Sequence, residues 1–534
     1  MKSPAILRPL IAVVLCIAGF ALARITPYRE GTVIIDAGGC QMVTDLIDKG
    51  NDETSGSVIL LHGLSANKKL MAYMARSFAE QNLRVFVPDL PGHGRTPGPF
   101  SFSRAETCAE SFTRQLIGRH AVDPSRTILA GHSMGGAIAM RLAARIPVAG
   151  VIAVSPAPMS TRHGIARYLL PFESTPAAPA KTLVISGSWE PQAIRETALD
   201  LTEGNGEATN KYVVIPHATH VSLLFDPRAA RASQEWGAAA LGFSNAAVPA
   251  SLLPLMGSLV GFIGILLLAG PFIREALGAN ALWNPQKAGA KTARGSSEPA
   301  GSTARPGLQR HQDAGATTES VPGYLHVVRV VIEMAAASAV AVAVLHFWQP
   351  LAVVRLFDGG YFASFLLIVG VLMLAMHYKS EAALLKAKWG GLLAAALAAL
   401  LLHFLFGVWF DATLTESWLS WSRWSRFPVL LAGCLPYLVA EELLVTANFA
   451  KPLARILGAL ALRGVGWLAM LFAIFVLHQG PILLLLLAPY FGLFCILHLA
   501  GMHIVRRQTR SPAGAALFGA ILLAGFCLVI FPVT

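Results

Sequence analysis

Long apolar runs fill most of the chain after residue 250, and they restrict the folds open to it. The runs lie near 251–273, 325–348, 361–377, 389–410, 427–449, 464–480, 481–504 and 513–531. A helix needs about 20 apolar residues to cross a bilayer, and most of these runs approach or reach that length. The pattern predicts a transmembrane helix at 250–273 and an all-α polytopic domain of about seven spans at 325–534.

Charged residues indicate how these spans are oriented. Lys2 and Arg8 precede an apolar stretch, so residues 1–24 are expected to be a signal peptide or a signal anchor. Lys and Arg concentrate in four loops, which the positive-inside rule places in the cytoplasm: 274–324, 378–388, 451–463 and 505–512. The prediction is a multi-pass cell-membrane protein with residues 25–245 on the extracytoplasmic side. Residues 274–324, rich in Gly, Ser and Pro, should form a flexible cytoplasmic linker.

Composition supports a membrane protein and argues against other partners. Charged residues make up 13% of the chain, against about 25% in soluble proteins. The net charge of +12 comes largely from basic loops between apolar runs, so no nucleic-acid partner is expected. The six cysteines lack zinc-type spacing, and we expect no metal or cofactor. Cys40 and Cys108 could form a disulfide in an exported domain, or remain two free thiols.

Between residues 57 and 216, short apolar runs alternate with amphipathic segments. The predicted strands are 57–61, 84–88, 127–130, 151–154, 182–186 and 212–215, and pieces at 32–35 and 41–45 could add an antiparallel start. The predicted helices are 68–81, 104–119, 134–144 and 228–241. Such alternation predicts an α/β domain over 25–245, with a doubly wound, mostly parallel sheet covered by helices on both faces.

The strongest chemical signal is the segment Gly131-His132-Ser133-Met134-Gly135-Gly136. It follows a predicted strand and opens a predicted helix, which is the context of a G-x-S-x-G nucleophile elbow. Side chains at Gly131 and Gly135 would collide with neighbouring backbone in so sharp a turn. Ser133 is therefore the candidate nucleophile, held in a strained conformation with its hydroxyl exposed.

With this elbow, residues 30–245 resemble the α/β-hydrolase family of serine esterases and lipases. Val58–Leu64 is similar to that family's strand and oxyanion loop, and Val85–Gly94 to the strand and loop one unit before the elbow. The resemblance implies an oxyanion hole formed by the backbone N–H groups of Leu64 and Met134. It implies no large cap, because only 156–180 is available for one, enough for a small helix around 166–170.

The resemblance also implies a catalytic histidine and an acid after the elbow. His220 has the family's position in the loop after the last strand, and His217 is the alternative base. Glu190 stands where the family pattern Gly-x-x-Asp has its acid, with Asp200 as the fallback and a structural salt bridge as another role for Glu190. Of the other histidines, His62 and His132 should support the oxyanion loop and elbow, and His93 should support a loop turn.

These residues predict a serine hydrolase that cleaves a small-molecule or lipid acyl ester through an acyl-enzyme. An acyltransferase would use the same triad. A non-catalytic membrane sensor or transporter with a hydrolase-like ligand-binding domain is a third possibility. The sequence leaves the oligomeric state open.

Ionisable residues within the apolar runs call for an explanation, because charge is costly in a membrane. Glu441 and Glu442 share one run, and His478, His498 and His503 follow in later ones. Such groups could bind a metal or relay protons, and the arrangement is weakly similar to intramembrane CAAX-type proteases. Thr446, where that family has Arg, and Leu499–Met502, where it has Asn, depart from its pattern. Structural or transport-like roles are therefore favoured for these residues.

Overall fold

The structure is a computed structural model that describes residues 4–50, 54–157, 181–203, 210–278, 323–381, 385, 387–417 and 420–534. The expected small helix near 166–170 and most of the expected linker at 274–324 lie outside these residues.

A mostly parallel sheet forms the core of the first part of the chain. The described residues contain eight strands: β1 (Arg29–Asp36), β2 (Gln41–Asp48), β3 (Gly56–Leu61), β4 (Leu83–Pro88), β5 (Thr127–His132), β6 (Gly150–Val154), β7 (Thr182–Gly187) and β8 (Lys211–Ile215). Their order is β1-β2-β4-β3-β5-β6-β7-β8. The pairs β1–β2 and β2–β4 are antiparallel and the others are parallel. The predicted α/β sheet with an antiparallel start is confirmed.

Helices cover both faces of this sheet, and together they form what we call the sheet domain, residues 29–241. The helices are α2 (Ala72–Ala79), α3 (Phe102–Gly118), α4 (Met134–Ala143), α5 (Gln192–Glu203) and α6 (Pro227–Leu241). Apolar residues of α3, α4 and α5 share one core, and those of α2 and α6 share the core on the opposite face. Burial on both faces explains why β3, β5, β6 and β7 are buried at every position.

Helices, most of them long, make up most of the rest of the described chain. They are α1 (Pro4–Arg24), α7 (Leu253–Gly278), α8 (Gly323–Phe347), α9 (Gly359–Glu381), α10 (Trp389–Thr413), α11 (Trp421–Trp424), α12 (Phe427–Asn448), α13 (Pro452–Phe475), α14 (Ile482–Leu486), α15 (Ala488–Thr509) and α16 (Pro512–Ile530). Nine spans among the described residues are long and apolar enough to cross a membrane. They suggest a multi-pass membrane protein. We call residues 253–534 the helical region.

The predicted loop at 451–463 is wrong, because helix α13 begins at Pro452 and includes this segment. Its two arginines made it resemble a loop in the sequence. The guanidinium of Arg463 donates two hydrogen bonds of 2.8 Å to Glu441 on α12. Because the pair is neutral overall, the charge is tolerated on a helix of membrane length.

Helix α1 packs closely along α7. A Cβ atom built on Gly19 would lie 2.4 Å from the backbone nitrogen of Gly261, and one on Gly257 would lie 2.6 Å from the carbonyl oxygen of Gly19. Small residues at such positions allow two helices of membrane length to approach closely. The N-terminal helix is thus an integral part of the helix packing.

The sheet domain is fixed to one end of the helical region. Asn67 Nδ2 donates to Thr415 Oγ1 (2.7 Å), and Arg423 donates to the Gly92 carbonyl (2.9 Å). The backbone N–H of Phe100 donates to the carbonyl of Val533 (2.5 Å). These contacts come from the α10–α11 connection, from α11 and from the chain end, all at the same end of the helices. The short connections before α13 and α16, which carry Lys451 and Arg510, lie at the opposite end.

Candidate active site

Ser133 occupies a sharp turn between β5 and α4. Its backbone has φ 53° and ψ −119°, a strained conformation for a residue with a side chain. A Cβ atom on Gly131 would lie 2.3 Å from the Gly135 carbonyl carbon, and one on Gly135 would lie 2.2 Å from the Leu61 carbonyl oxygen. The turn can therefore form only with glycine at both positions. These close approaches are the collisions expected from the sequence.

His220 lies in the loop after β8 and contacts the carboxylate of Glu190. Its Nδ1 is 2.8 Å from Glu190 Oε1, and the other oxygen, Oε2, accepts the N–H of Gly187 (2.6 Å). The Glu190 side chain is completely buried. The turn from Gly187 to Glu190 thus folds the longer carboxylate back onto its own backbone, within reach of the imidazole.

Ser155, which the sequence analysis missed, is the third member of this contact. Its hydroxyl donates to Glu190 Oε1 and lies 2.7 Å from His220 Nδ1. Ser155 directly follows β6, is fully buried and has a positive φ of 45°. A serine-proline pair directly after a buried strand was the available signal, but serine is so common in turns that the pair is not distinctive.

The alternative base and acid are placed differently. The side chain of His217 is exposed, and its ring centre lies 5.6 Å from that of Trp189. The backbone N–H of His217 donates to Ser188 Oγ (2.7 Å). Asp200 lies on α5, and its side chain is outside the described part of the chain. Of the two histidines, His220 is the one that the structure brings to Glu190.

Three buried histidines hold the loops around the turn. His62 accepts the N–H of Leu90 (2.9 Å), and His132 Nε2 donates to the His220 carbonyl (2.8 Å). Burial lowers the pKa of His62 to about 4, and burial together with the nearby His220 lowers the pKa of His132 to about 3. His93 Nδ1 donates to the Pro91 carbonyl (3.0 Å), and burial lowers its pKa well below the usual value. These neutral rings serve as supports for their loops.

A cavity of about 250 Å³ opens over Ser133, and we call it the cleft. The sheet domain supplies one wall, the floor: Leu64, Phe102, Ser133, Met134, Pro156, Ala157, Ile194 and His220. The helical region supplies the facing wall, the roof: Phe357, Asp358, Ile474, His478, Gln479, Gly480, Ile482 and Leu486. Leu64 and Met134, the expected oxyanion-hole residues, lie in the floor with Ser133.

Asp358 brings a carboxyl group to the roof. Its Oδ2 accepts the N–H of Leu483 (3.0 Å), which ties the two roof segments together. Burial raises the pKa of Asp358 to about 7. Near neutral pH this group can therefore act either as a hydrogen-bond donor or as an acceptor toward the cleft.

A buried ionic cluster joins the sheet domain to the helical region. Lys68 Nζ bonds to Asp89 Oδ2 (2.8 Å) and to Glu416, and all three side chains are nearly inaccessible to solvent. Burial and the nearby Asp89 carboxylate raise the pKa of Glu416 to about 7. Although burial alone would lower it, the two carboxylates raise the pKa of Lys68. The cluster therefore places one ammonium between two acids.

The structure does not bring Glu441 and Glu442 to the later histidines. Glu441 pairs with Arg463 and Glu442 pairs with Arg506, while His498 bonds to the Gly519 carbonyl (2.8 Å). Among the described residues, no group of three or more His, Cys, Asp or Glu side chains could hold a metal. Arginines neutralise both carboxylates, which is the arrangement expected of structural ion pairs.

Comparison with known proteins defines the class. Residues 58–245 match the model of the alpha/beta hydrolase family. The chain therefore contains an α/β-hydrolase domain, followed by a helical region with many apolar helices of membrane length.

Individual relatives cover only part of this domain. The chain is 30% identical over 156 residues to a putative non-heme haloperoxidase of Mycobacterium phage D29, which covers 28% of this chain and 55% of that protein. It is 34% identical over 113 residues to a monoacylglycerol lipase of Mycolicibacterium smegmatis, a match that covers 21% of this chain and 40% of that protein. A solved esterase from Pyrobaculum calidifontis is 16% identical, with a TM-score of 0.34, and the match covers 45% of this chain and 94% of the esterase. The chain spans less than two thirds of the length of the haloperoxidase and the monoacylglycerol lipase.

Proposed function

We propose that this chain is a membrane-embedded serine hydrolase that cleaves acyl esters, with Ser133 as nucleophile, His220 as base and Glu190 as acid. The observation that carries the proposal is the position of Ser133 and His220 on one cleft, with His220 bonded to the buried Glu190. The described hydrogen bonds of the His220 side chain are made by Nδ1. The other ring nitrogen, Nε2, is then the atom that accepts the proton from Ser133.

The chemistry follows from these positions. His220 Nε2 takes the proton from the Ser133 hydroxyl as its oxygen attacks the acyl carbon, and Glu190 stabilises the imidazolium. The backbone N–H groups of Leu64 and Met134 stabilise the oxyanion. His220 returns the proton to the leaving alcohol, and water then releases the acid from the acyl-enzyme. Catalytic hydrogen bonds often tighten only when substrate binds, so Ser133 and His220 are expected to close together in the complex.

We further propose that the sheet domain lies outside the cytoplasm. Cys40 and Cys108 form a disulfide, and disulfides persist in oxidising compartments. Lys451 and Arg510, in the short connections at the far end of the helices, give the same orientation through the positive-inside rule. Alkylation of the intact protein should leave Cys40 and Cys108 unmodified until a reductant is added. Modification without reductant would contradict this orientation.

We also propose that α1 remains attached as a signal anchor. Its close packing on α7 gives it a role that a cleaved peptide would not have. Mass spectrometry of the mature protein should find peptides from residues 8–24. A mature N terminus after Ala23 would contradict the proposal.

Labelling with a fluorophosphonate tests the catalytic proposal directly, because the probe reacts with an activated serine. The full-length protein in detergent should label at Ser133, while Ser133→Ala and His220→Ala should not. Ser155→Ala is a useful control. Ser155 contacts Glu190 and the Nδ1 atom of His220, so this variant should still be labelled at Ser133, but more slowly. Absence of labelling in the folded wild-type protein would favour a ligand-binding role instead.

A further inference from the structure

The two walls of the cleft come from different regions of the chain. The roof consists of Phe357 and Asp358, which lie between α8 and α9, and of residues 474–486, which run from the end of α13 through α14. A substrate that reaches Ser133 must therefore contact the helical region. The roof has no assigned role in the chemistry, so its own shape and polarity indicate what it binds.

The roof is held firmly against its neighbours. The ring of Phe357 packs edge-on against Phe100 and Phe102, at 5.7 Å in each case, and the Phe357 N–H donates to the Pro532 carbonyl (2.9 Å). Gln479 Oε1 accepts from His346 Nδ1 (3.1 Å) on α8. A wall fixed from three sides can select a ligand by shape, because its contacts are already ordered before binding.

The lining of the roof is amphiphilic. Ile474, Ile482 and Leu486 offer an apolar surface, while Asp358 and His478 offer ionisable groups to the same cavity. Apolar walls with a few polar groups are typical of sites for ligands that have both an apolar body and a polar end. An acyl ester of a lipid has this combination.

The cleft also lies at the ends of candidate membrane spans. Residues 474–486 of the roof begin at the C-terminal end of α13, whose last residue, Phe475, also ends a candidate span, and α8 ends beside them at Phe347. Phe347 and Trp348 are 86% and 66% exposed, and Val476 is exposed as well. Such large apolar side chains are costly in water but are typical of the zone where lipid headgroups begin.

We propose that the roof is the acyl-binding half of the active site, and that its ligand is a bilayer lipid ester that enters from the membrane surface. Ile474, Ile482 and Leu486 contact the acyl chain, and Asp358 and His478 face its polar end. The inference rests on the proposed function for the reaction itself, but binding of the lipid by the roof does not require catalysis.

Photolabelling separates binding from catalysis. The full-length Ser133→Ala protein, reconstituted in phosphatidylcholine vesicles, is exposed to a phosphatidylcholine that carries a photoreactive acyl chain. Crosslinks are expected within residues 474–486. Ile482→Trp, which fills the cleft, should reduce them at least about tenfold, whereas Leu493→Trp on the exposed face of α15 should leave them unchanged. Crosslinks that avoid 474–486, or that Ile482→Trp does not reduce, would overturn the inference.

Chain-length selectivity is the second measurement, made with p-nitrophenyl acetate, octanoate and palmitate on full-length protein that keeps Ser133, reconstituted in phosphatidylcholine vesicles. Ile482→Trp should lower the ratio of palmitate to acetate turnover by about tenfold or more, and Ile482→Ala, which enlarges the cleft, should raise it. Fluorophosphonate labelling shows that each variant keeps a formed site. Unchanged ratios in both variants would overturn the inference while the proposed function stands. Crosslinking to the roof without any ester turnover would contradict the proposed function but would still support the lipid-binding site.

Discussion

The floor and the roof of the cleft face each other but are built in different ways. The floor is formed where strands of one sheet end, and its chemistry lies in short segments such as Gly131–Gly135 and Gly187–Glu190. The roof is assembled from residues 357–358 and 474–486, more than a hundred positions apart in the chain. The floor is suited to carry the reaction, whereas the roof is suited to choose the substrate. Changes in the two walls should therefore have different kinetic signatures.

The largest expected effect is in the floor. His220→Ala removes the proposed base and should lower turnover of a soluble ester by about 10³-fold or more. His217→Ala, in the same loop, should stay within about twofold of wild type, since His217 packs on Trp189 and does not line the cleft. The full-length protein in detergent is assayed with p-nitrophenyl acetate. Equal losses in both variants would remove the distinction between the two histidines.

The second effect concerns the contact that holds the sheet domain and the helical region together. Lys68→Met leaves the buried carboxylates of Asp89 and Glu416 without their ammonium, and breaking a buried ion pair in this way costs about 3–5 kcal/mol. Lys69→Met is the matched control, because Lys69 contacts Asp411 with a side chain that is 29% exposed, and ion pairs that water can reach contribute about 1 kcal/mol or less. Thermal unfolding in detergent should show a much lower midpoint for Lys68→Met. Similar midpoints for the two variants would mean that the cluster does not hold the regions together.

The sequence could predict the floor because its determinants are local. The glycines of the elbow stand next to Ser133, and the strands on either side are continuous apolar runs, so motif and pattern agree. Ser155 escaped prediction because its partners Glu190 and His220 meet it only after three strands have paired. Phe357 and Ile482 escaped for the same reason on a larger scale: nothing near them in the sequence distinguishes them from other apolar residues of the spans. The α13 boundary was misplaced because Arg463 meets Glu441 only in the folded protein.

A smaller effect is expected for Ser155, which acts on the reaction through Glu190 and His220. Ser155→Ala removes the hydroxyl that donates to Glu190 and should lower kcat by about tenfold, with little change in KM. The rate of fluorophosphonate labelling should fall in parallel, because both depend on the orientation of His220. Ser188→Ala, which loses only a contact with the His217 backbone, should leave both rates unchanged. A lower unfolding midpoint with unchanged rates would indicate a purely structural serine.

The smallest effect concerns pH and again tests the contact between the sheet domain and the helical region. Because the folded protein raises the pKa of Glu416 from 4.5 to about 7, it retains a proton that the unfolded chain releases. The stabilisation from this proton is complete below about pH 4.5, decreases as the pH rises, and is lost above about pH 7. Glu416→Gln keeps a carbonyl oxygen for Lys68 but cannot ionise. The unfolding midpoint of the wild type should therefore fall more steeply between pH 5 and 8 than that of the variant, and the same slope in both proteins would show that Glu416 is already ionised at the contact.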